Sequence, residues 1–214
     1  LEASAFIADL TRVQAAETWL GPGMALVSDE FTTPGAIGGT VTVYLEDNPG
    51  ISGAAFAASD WVLIQVITRS AGILLAQAWG QVTSYADQSG AREGQQSWTF
   101  TLRNGPTGVT VGKGAVVVGF GASGASYIHS SVLPSALGPF TRYATWVTNP
   151  YTPANRTIHT QVGRLDSITD AVLNPTGYGL YATNVFLKGD LIAGNGWLTL
   201  DQNGFGLKQL TWSK

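Results

Sequence analysis

The chain has no cysteine and few charged residues. Without cysteine among its 214 residues, disulfides and thiolate metal sites are excluded. Asp, Glu, Lys and Arg make up 12% of the residues, about half the share usual in a soluble domain. The net charge of −3 is spread without a basic stripe, so no nucleic-acid partner is expected. Because a monomer this poor in charge is badly solvated, we expect neighbouring subunits to cover much of the surface.

Long apolar runs are also missing. Runs such as 73–76 and 115–118 fall far short of the roughly 20 residues of a membrane span, so membrane insertion is not expected. The first residues have neither the positively charged N-terminal region nor the apolar stretch of a signal peptide. A start at Leu1 is expected of a piece of a longer protein, although an expression scar has the same form.

What the chain does have is a succession of strand patterns. Runs rich in β-branched and aromatic residues, bounded by turn residues, lie at 41–45, 61–68, 73–85, 97–102, 115–120, 127–132, 141–148 and 157–162. No helical pattern separates them, which predicts an all-β, antiparallel barrel or sandwich over residues 21–150. The prolines at 150 and 153 cannot lie inside a central strand and predict a break there.

Residues 1–20 form the one segment with helical spacing. Phe6, Leu10 and Val13 recur at that spacing, interrupted by Glu17, and Gly21-Pro22-Gly23 follows. We expect a lead-in here, either a short helix or an extended segment.

Residues 151–214 are predicted to be a trimerising, fibre-like β region. Its strand fragments are three to five residues long, apolar on both faces and cut by Gly, Asn-Gly or Gly-Asp turns. Fragments this short cannot build a core alone, and another copy of the chain is the simplest partner. The predicted trimer-interface residues are Tyr178, Leu180, Tyr181, Val185, Leu187, Leu191, Trp197, Leu200 and Phe205.

This region resembles a signature of bacteriophage and prophage tail fibre and tail-tip proteins. The matching residues are Gly-Tyr-Gly-Leu-Tyr at 177–181, Asn-Val-Phe-Leu-Lys-Gly at 184–189 and Leu-Ile-Ala at 191–193. The segment 162–168 stands where those proteins have Arg-Leu-Gly-Asn-Leu-x-Gly-Ile, with the order of glycine and arginine altered and Ser167 in place of a glycine. The resemblance covers about residues 56–207. It implies a virion protein that forms homotrimers, contacts other tail proteins and binds a host-surface glycan or protein receptor.

Several motifs suggest chemistry that their surroundings do not support. Residues 119–124 match G-x-G-x-x-G, but a strand pattern follows instead of a helix, and no acid lies between Glu93 and Asp166. A glycine-rich turn joining two strands is expected there, and no bound cofactor is expected.

Three pairs of acidic residues could in principle support glycan hydrolysis: Asp29 with Glu30, Glu46 with Asp47, and Asp166 with Asp170. All lie in turn-like settings, so neither catalytic residues nor metal ligands are assigned. The protein is not expected to be an enzyme.

Aromatic residues give the candidate ligand site. Trp61, Trp79, Trp98 and Trp146 lie within strand patterns and are expected in the core or in a subunit interface. Tyr127 and Tyr151 lie beside Gly-, Ser- or Pro-rich loops, where an exposed ring can stack on a sugar, and His129 lies two residues from Tyr127. His129 and His159 have no acid near them in sequence, so any dyad would have to form through folding or between subunits; a histidine column on a trimer axis is a further alternative.

The sequence thus predicts a trimeric, receptor-binding segment of a phage tail fibre or tail tip. A monomeric carbohydrate-binding module of a secreted protein is the alternative. A glycan-depolymerising tailspike domain is a weaker one, because it requires a pair of carboxylates that the sequence does not place together.

Overall fold

The computed structural model describes residues 17–47, 53–68, 74–132, 138–170, 172–186, 191–193, 198–201 and 204–207. The chain is all-β, with curled antiparallel sheets in a half-barrel and sandwich-like arrangement, as the strand patterns predict. Helical structure in the described residues is limited to the 3₁₀ turns Gly90–Arg92 and Pro153–Asn155. The strands are β1 (Glu17–Leu20), β2 (Gly23–Leu26), β3 (Phe31–Thr32), β4 (Thr40–Glu46), β5 (Trp61–Thr68), β6 (Leu74–Asp87), β7 (Gln95–Asn104), β8 (Thr110–Val111), β9 (Val116–Gly121), β10 (Ser126–Ser131), β11 (Phe140–Trp146), β12 (Arg156–Arg164), β13 (Tyr178–Ala182), β14 (Leu191–Ala193), β15 (Leu198–Asp201) and β16 (Gly204–Leu207).

A six-stranded sheet, in the order β2-β9-β5-β6-β7-β4, forms the centre of the fold. Its middle strands are covered on both faces, which is why β5 and β9 are continuous apolar runs rather than alternating ones. β6 is long enough to pair with β5 along its first part and with β7 along its second, and register shifts near Gly80 and Ser84 bend it between the two.

Each face of this sheet contributes to a separate apolar core. One core contains Val62, Ile64 and Val117 together with Trp98 and Phe100, all buried. The other core contains side chains of opposite orientation from the same strands, and the second sheet covers it. Its buried members are Trp19, Leu63, Trp79, Val116, Val118, Phe120, Tyr127, Ala144 and Trp146.

The second sheet has five antiparallel strands, in the order β1-β10-β11-β12-β13. β9 passes from the central sheet into β10 of this sheet through the turn at residues 122–125, so the G-x-G-x-x-G segment is a glycine-rich connection between strands, as predicted. Gly121 adopts φ +63°, a backbone conformation that glycine tolerates best. β10 to β12 present alternating residues to the apolar core, which fixes their register.

The structure bears on two sequence expectations about organisation. Residues 17–20 form strand β1, which agrees with the extended alternative for the lead-in and not with the helical one, because pairing with β10 places Glu17 and Trp19 in the interior; residues 1–16 lie outside the described part. The break at Pro150 and Pro153 is a turn and not a domain boundary, because β11 and β12 pair across it. The chain instead divides into two compact units between Tyr181 and Ala182.

The second unit contains a small antiparallel sheet in the order β14-β15-β16. Leu191 pairs with Leu200, and Leu200 with Phe205. These strands of three and four residues confirm the predicted short fragments. Their intertwining with other chains stays a prediction.

Candidate functional site

The predicted ligand residues Tyr127 and His129 lie on the buried face of β10. The strand alternates, so Tyr127, His129 and Ser131 point inward while the residues between them face outward. The expectation that Tyr127 is exposed is therefore wrong: the side chain is 3% exposed, and its ring packs 5.7 Å from that of Trp19 and 5.1 Å from that of Phe120. Burial raises the pKa of the Tyr127 phenol.

His129 does have an acidic partner, which folding supplies. Its Nε2 lies 3.3 Å from Oε1 of Glu17, 112 residues away in sequence, and both side chains are buried. Trp19 stacks on the imidazole with ring centroids 3.5 Å apart and planes 9° apart, and Phe140 meets it edge-on. β1 thus contributes both the acid and the stacking ring to His129.

Glu17 accepts further hydrogen bonds from both sheets. Nε1 of Trp19 donates to Oε2 at 3.4 Å, and Nε2 of Gln77, on β6 of the central sheet, donates to the same oxygen at 3.2 Å. Gln77 in turn accepts a hydrogen bond from Nε1 of Trp79 at 3.3 Å. The carboxylate therefore links the two sheets.

The protonation states of the pair follow from burial and hydrogen bonding. Burial lowers the pKa of His129, and the attraction of Glu17 only partly opposes this effect. Burial alone would raise the pKa of Glu17, but the hydrogen bonds from His129, Trp19 and Gln77 bring it below its ordinary value. At neutral pH the arrangement is a carboxylate held by a neutral imidazole that donates from Nε2, which leaves Nδ1 as an acceptor.

Two arginines accompany this pair. Arg142 is 9% exposed, and its guanidinium lies 3.8 Å from the ring centroid of Phe140. Burial lowers the pKa of Arg142 to about 10, so the side chain remains charged at neutral pH. Arg156 donates to the carbonyls of Pro150 at 2.6 Å and Tyr151 at 3.3 Å.

The register explains how these polar residues come together. Trp19 pairs with His129, His129 with Arg142 and Arg142 with Gln161, so a single row crosses four strands. All four side chains are buried. Within the described residues, four buried atoms of this neighbourhood have no hydrogen-bond partner: the Tyr127 hydroxyl, Nδ1 of His129, Nε of Arg142 and Oε1 of Gln161.

We call Glu17, Trp19, Gln77, His129, Arg142 and Gln161 the inner polar cluster. It is buried, and within the described residues Glu17, Trp19 and Phe140 contact the imidazole of His129, none of which is a nucleophile that the imidazole could activate. The cluster can fix β1 and join the sheets, whereas binding an external ligand through it would require the sheets to separate. Sequence reasoning missed Glu17 and Arg142. The alternation along β11 does indicate that Arg142 points inward, because it lies in the same alternate positions as the apolar residues Phe140, Ala144 and Trp146.

Tyr151 lies apart from the inner polar cluster. Its side chain is half-buried, and its ring lies 5.7 Å from that of Trp61. Trp61 in turn packs against Trp146 at 6.3 Å. Tyr151 therefore packs against the core between the two sheets while remaining partly accessible, and ligand binding by Tyr127, His129 and Tyr151 stays a prediction.

A second feature is a segment of exposed apolar side chains late in the chain. Phe186 is 94% exposed, Val172 is 90% exposed, and Tyr178 and Leu180 on β13 are 68% and 59% exposed. Leu173 and Val185 are also exposed. We call these six residues, within 172–186, the exposed apolar segment.

The remaining predicted interface residues divide by position. Tyr181 is half-buried, and its hydroxyl donates to Asp170 at 2.8 Å within the same chain. Leu191, Leu200 and Phe205 lie in β14, β15 and β16. Leu187 and Trp197 lie outside the described residues.

Three of the acidic residues considered for catalysis, Asp29, Asp166 and Asp170, have structural roles, and Glu46 lies at the end of strand β4. Asp29 pairs with Arg92, and Asp166 pairs with Arg164 at 2.7 Å. Asp170 accepts hydrogen bonds from the backbone at 172 and 173, both at 2.8 Å, as well as from Tyr181. Across the described residues, no group of three or more His, Asp or Glu side chains is arranged to hold a metal ion.

Comparison with known proteins gives no family assignment. Within the same described residues, no helix is both long and apolar enough to cross a membrane. Neither a protein-family model, nor a curated protein, nor a solved structure matches the chain.

Proposed function

We propose that the protein is a structural, non-enzymatic component of a phage tail fibre or tail tip. It assembles as a homotrimer through its C-terminal strands and presents its surface to a host-cell glycan or protein receptor. The single observation that carries this proposal is the exposed apolar segment. Six of the eleven large apolar side chains exposed in the described structure fall within fifteen residues of sequence.

The cost of leaving this segment in water supports self-association. Burying one large apolar side chain contributes about 1.5–3 kcal/mol. Tyr178, Leu180 and Phe186 alone therefore favour association by several kcal/mol per chain. Exposed apolar surface concentrated in one stretch is typical of an interaction site rather than of a free monomer.

The position of β13 supports the same proposal. β13 is the last strand of its five-stranded sheet, so no strand of the described residues pairs with its outer edge, and such an edge is suited to pairing with another chain. A strand of five residues with two exposed apolar side chains is a suitable element for such pairing. The scarcity of charge over the whole chain is also suited to a subunit that is covered by its neighbours.

Three parts of the proposal rest on the resemblance to tail fibre and tail-tip proteins: that the oligomer is a trimer, that it belongs to a virion, and that it contacts other tail proteins. Multivalency then gives such a trimer a physical advantage in host attachment. Three linked copies of a weak receptor site bind a surface far more firmly than one copy.

The mass of the chain in solution tests this proposal. Light scattering after size-exclusion chromatography is expected to give three times the 22.4 kDa chain mass. The double variant Leu180→Ser/Phe186→Ser is expected to shift the mass toward a single chain, because it removes the apolar contacts while leaving the rest of the fold. Ile37→Ser is the matched control, since Ile37 is 55% exposed but lies outside the segment. A wild-type mass of one chain up to about 200 µM would contradict the proposal and support the monomeric module.

A further inference from the structure

The outward face of the five-stranded sheet is unusual in composition. On β1, β10, β11 and β12, the residues between the inward positions are mostly serine and threonine. We call this surface the hydroxyl face; it consists of Thr18, Leu20, Ser126, Ile128, Ser130, Thr141, Tyr143, Thr145, Thr157, His159, Thr160 and Val162. None of these side chains is buried in the chain.

The strand register arranges the hydroxyl face in three rows. Thr18, Ser130, Thr141 and Val162 form one row across the four strands. Leu20, Ile128, Tyr143 and Thr160 form the central row, and Ser126, Thr145 and Thr157 form the third. Neighbouring rows are two residues apart along a strand, about 6.5–7 Å, and neighbouring strands are about 4.8 Å apart. These side chains thus form a regular grid, in which most hydroxyls lie in the two outer rows on either side of Tyr143.

Hydrogen bonds hold parts of this grid in place. Oγ of Ser130 lies 2.9 Å from Oγ1 of Thr141. Oγ1 of Thr145 lies 2.9 Å from Nε2 of His159, which occupies the extra position where the register of β12 shifts. A hydroxyl that makes one such bond keeps further donor or acceptor capacity for a ligand. Because the β-branched threonines are also stiff, a ligand would order little of this surface on binding.

Charge on the hydroxyl face is confined to its border. The three rows contain no Asp, Glu, Lys or Arg. Arg164, at the end of β12, is paired with Asp166 at 2.7 Å. Solvated sheet faces ordinarily carry interspersed charges of both signs. A polar face without charge is complementary to a ligand that is hydroxyl-rich and uncharged.

Tyr143 supplies an aromatic platform in the middle of this face. It lies in the central row and is 50% exposed, flanked across the strands by Ile128 and Thr160. A flat ring surrounded by hydroxyls can stack on the apolar face of a sugar ring while the hydroxyls bond the sugar's edge. A protein partner would be expected to find larger aromatic and arginine anchors, and this face offers one aromatic ring and no arginine within its rows.

We infer that the hydroxyl face, centred on Tyr143, binds a neutral glycan. This inference rests on the proposed function, because it names the chemical class of the host receptor that the proposed fibre would bind. It moves the ligand site from Tyr127 and His129, on the buried side of β10, to the opposite side of the same sheet.

A glycan array that carries both neutral and anionic bacterial polysaccharides tests the inference. The wild-type chain is expected to bind neutral glycans and not to prefer anionic ones. For the best neutral oligosaccharide, calorimetry is expected to show at least tenfold weaker binding by Tyr143→Ala and nearly unchanged binding by Tyr143→Phe, which keeps the ring. Thr145→Val keeps the shape but removes a hydroxyl and is expected to weaken binding severalfold. Ile37→Ala is the matched control, because Ile37 is 55% exposed but lies outside both the hydroxyl face and the exposed apolar segment, and its affinity is expected to equal that of wild type.

The outcomes separate this inference from the proposed trimer. Absence of binding to any glycan, or affinity that Tyr143→Ala does not change, overturns the hydroxyl face as a glycan site, even if the mass is that of three chains. A single-chain mass together with Tyr143-dependent glycan binding supports the site and contradicts the fibre. Loss of the trimer in Tyr143→Ala would show that the face is a subunit contact and would also overturn the inference.

Discussion

Three N–H donors hold the Glu17 carboxylate in the interior, from His129, Trp19 and Gln77. A buried carboxylate without such donors costs several kcal/mol, because water no longer solvates it. Gln77 belongs to the central sheet, and the other two donors belong to the five-stranded sheet. The need to satisfy the Glu17 carboxylate with donors from both sheets therefore also helps to specify how the sheets pack against each other. A four-residue strand such as β1 gains a defined register in this way.

The buried imidazole predicts a specific dependence of stability on pH. The pKa of His129 is below its ordinary value of 6.5 in the folded chain, so the unfolded chain takes up the proton first as the pH falls. The contribution of His129 to stability is therefore complete above about pH 6.5 and declines as the pH falls below it. Glu17, whose pKa is lowered from 4.5, loses its contribution only at still lower pH, and Arg142 stays charged throughout.

We therefore expect the free energy of unfolding to fall between pH 7.5 and 5.5, by at most about 1.4 kcal/mol, and this fall to be largely absent in His129→Gln. Glutamine keeps an N–H donor toward Glu17 but does not titrate. Urea denaturation at several pH values measures the slope. His159→Gln is the matched control, because it makes the same substitution at the histidine of the exposed face. An unchanged slope in His129→Gln would contradict the assigned role.

At the level of elements, β9 must fit closely between its neighbours. A Cβ on Gly119 would lie 2.9 Å from ring atoms of Phe56 and 3.2 Å from the carbonyl oxygen of Gly23. The backbone angle of Gly119 is not in the left-handed region, so the constraint is space alone. Gly112, in contrast, has open space around its Cβ direction and no left-handed angle.

Gly119→Ala is therefore expected to destabilise the fold by about 1–3 kcal/mol through overpacking. Gly112→Ala is expected to be neutral or to stabilise by up to about 1 kcal/mol, since it only restricts the unfolded chain. Thermal unfolding of the two variants side by side measures the difference. Equal melting temperatures would show that β9 tolerates the methyl group and that the close approach of Phe56 is not required.

The strands that the sequence predicts best are the long ones with strong β-forming residues. β5 has the predicted bounds, and β4, β6, β7 and β9 to β12 lie within a few residues of theirs. The sequence did not predict β1, β2, β3 and β8, because strands of two to four residues carry too little pattern. In β1 the inward Glu17 looked like an interruption of a helix, and only the distant His129 explains it.

At the scale of the whole molecule, the sequence indicated the apolar C-terminal region but expected Tyr127 on the exposed side of its strand, whereas its side chain is buried. Glycine and serine around Tyr127 favour exposure locally, yet the position of Tyr127 in β10 is decided by alternation with residues that face the second core. The hydroxyl face has no local signal, since its threonines are also good strand formers. It becomes visible only when the register places residues from four strands in the same rows.

Trimer formation through the exposed apolar segment predicts that thermal stability depends on protein concentration. A trimer that dissociates on unfolding is favoured by mass action, so its melting temperature rises with concentration. Between 5 and 200 µM we expect a rise of roughly 3–6 °C for the wild-type chain. Calorimetry at these concentrations measures it.

The variant Leu180→Ser/Phe186→Ser should melt at a temperature independent of concentration, because it no longer gains from association. Ile37→Ser should behave like the wild type, since it removes an equally exposed apolar side chain elsewhere. A wild-type melting temperature that stays constant over this range would mean that the apolar residues of 172–186 remain in water or are covered within one chain. Self-association would then no longer explain why the chain has so many apolar side chains in this segment and so few charges overall.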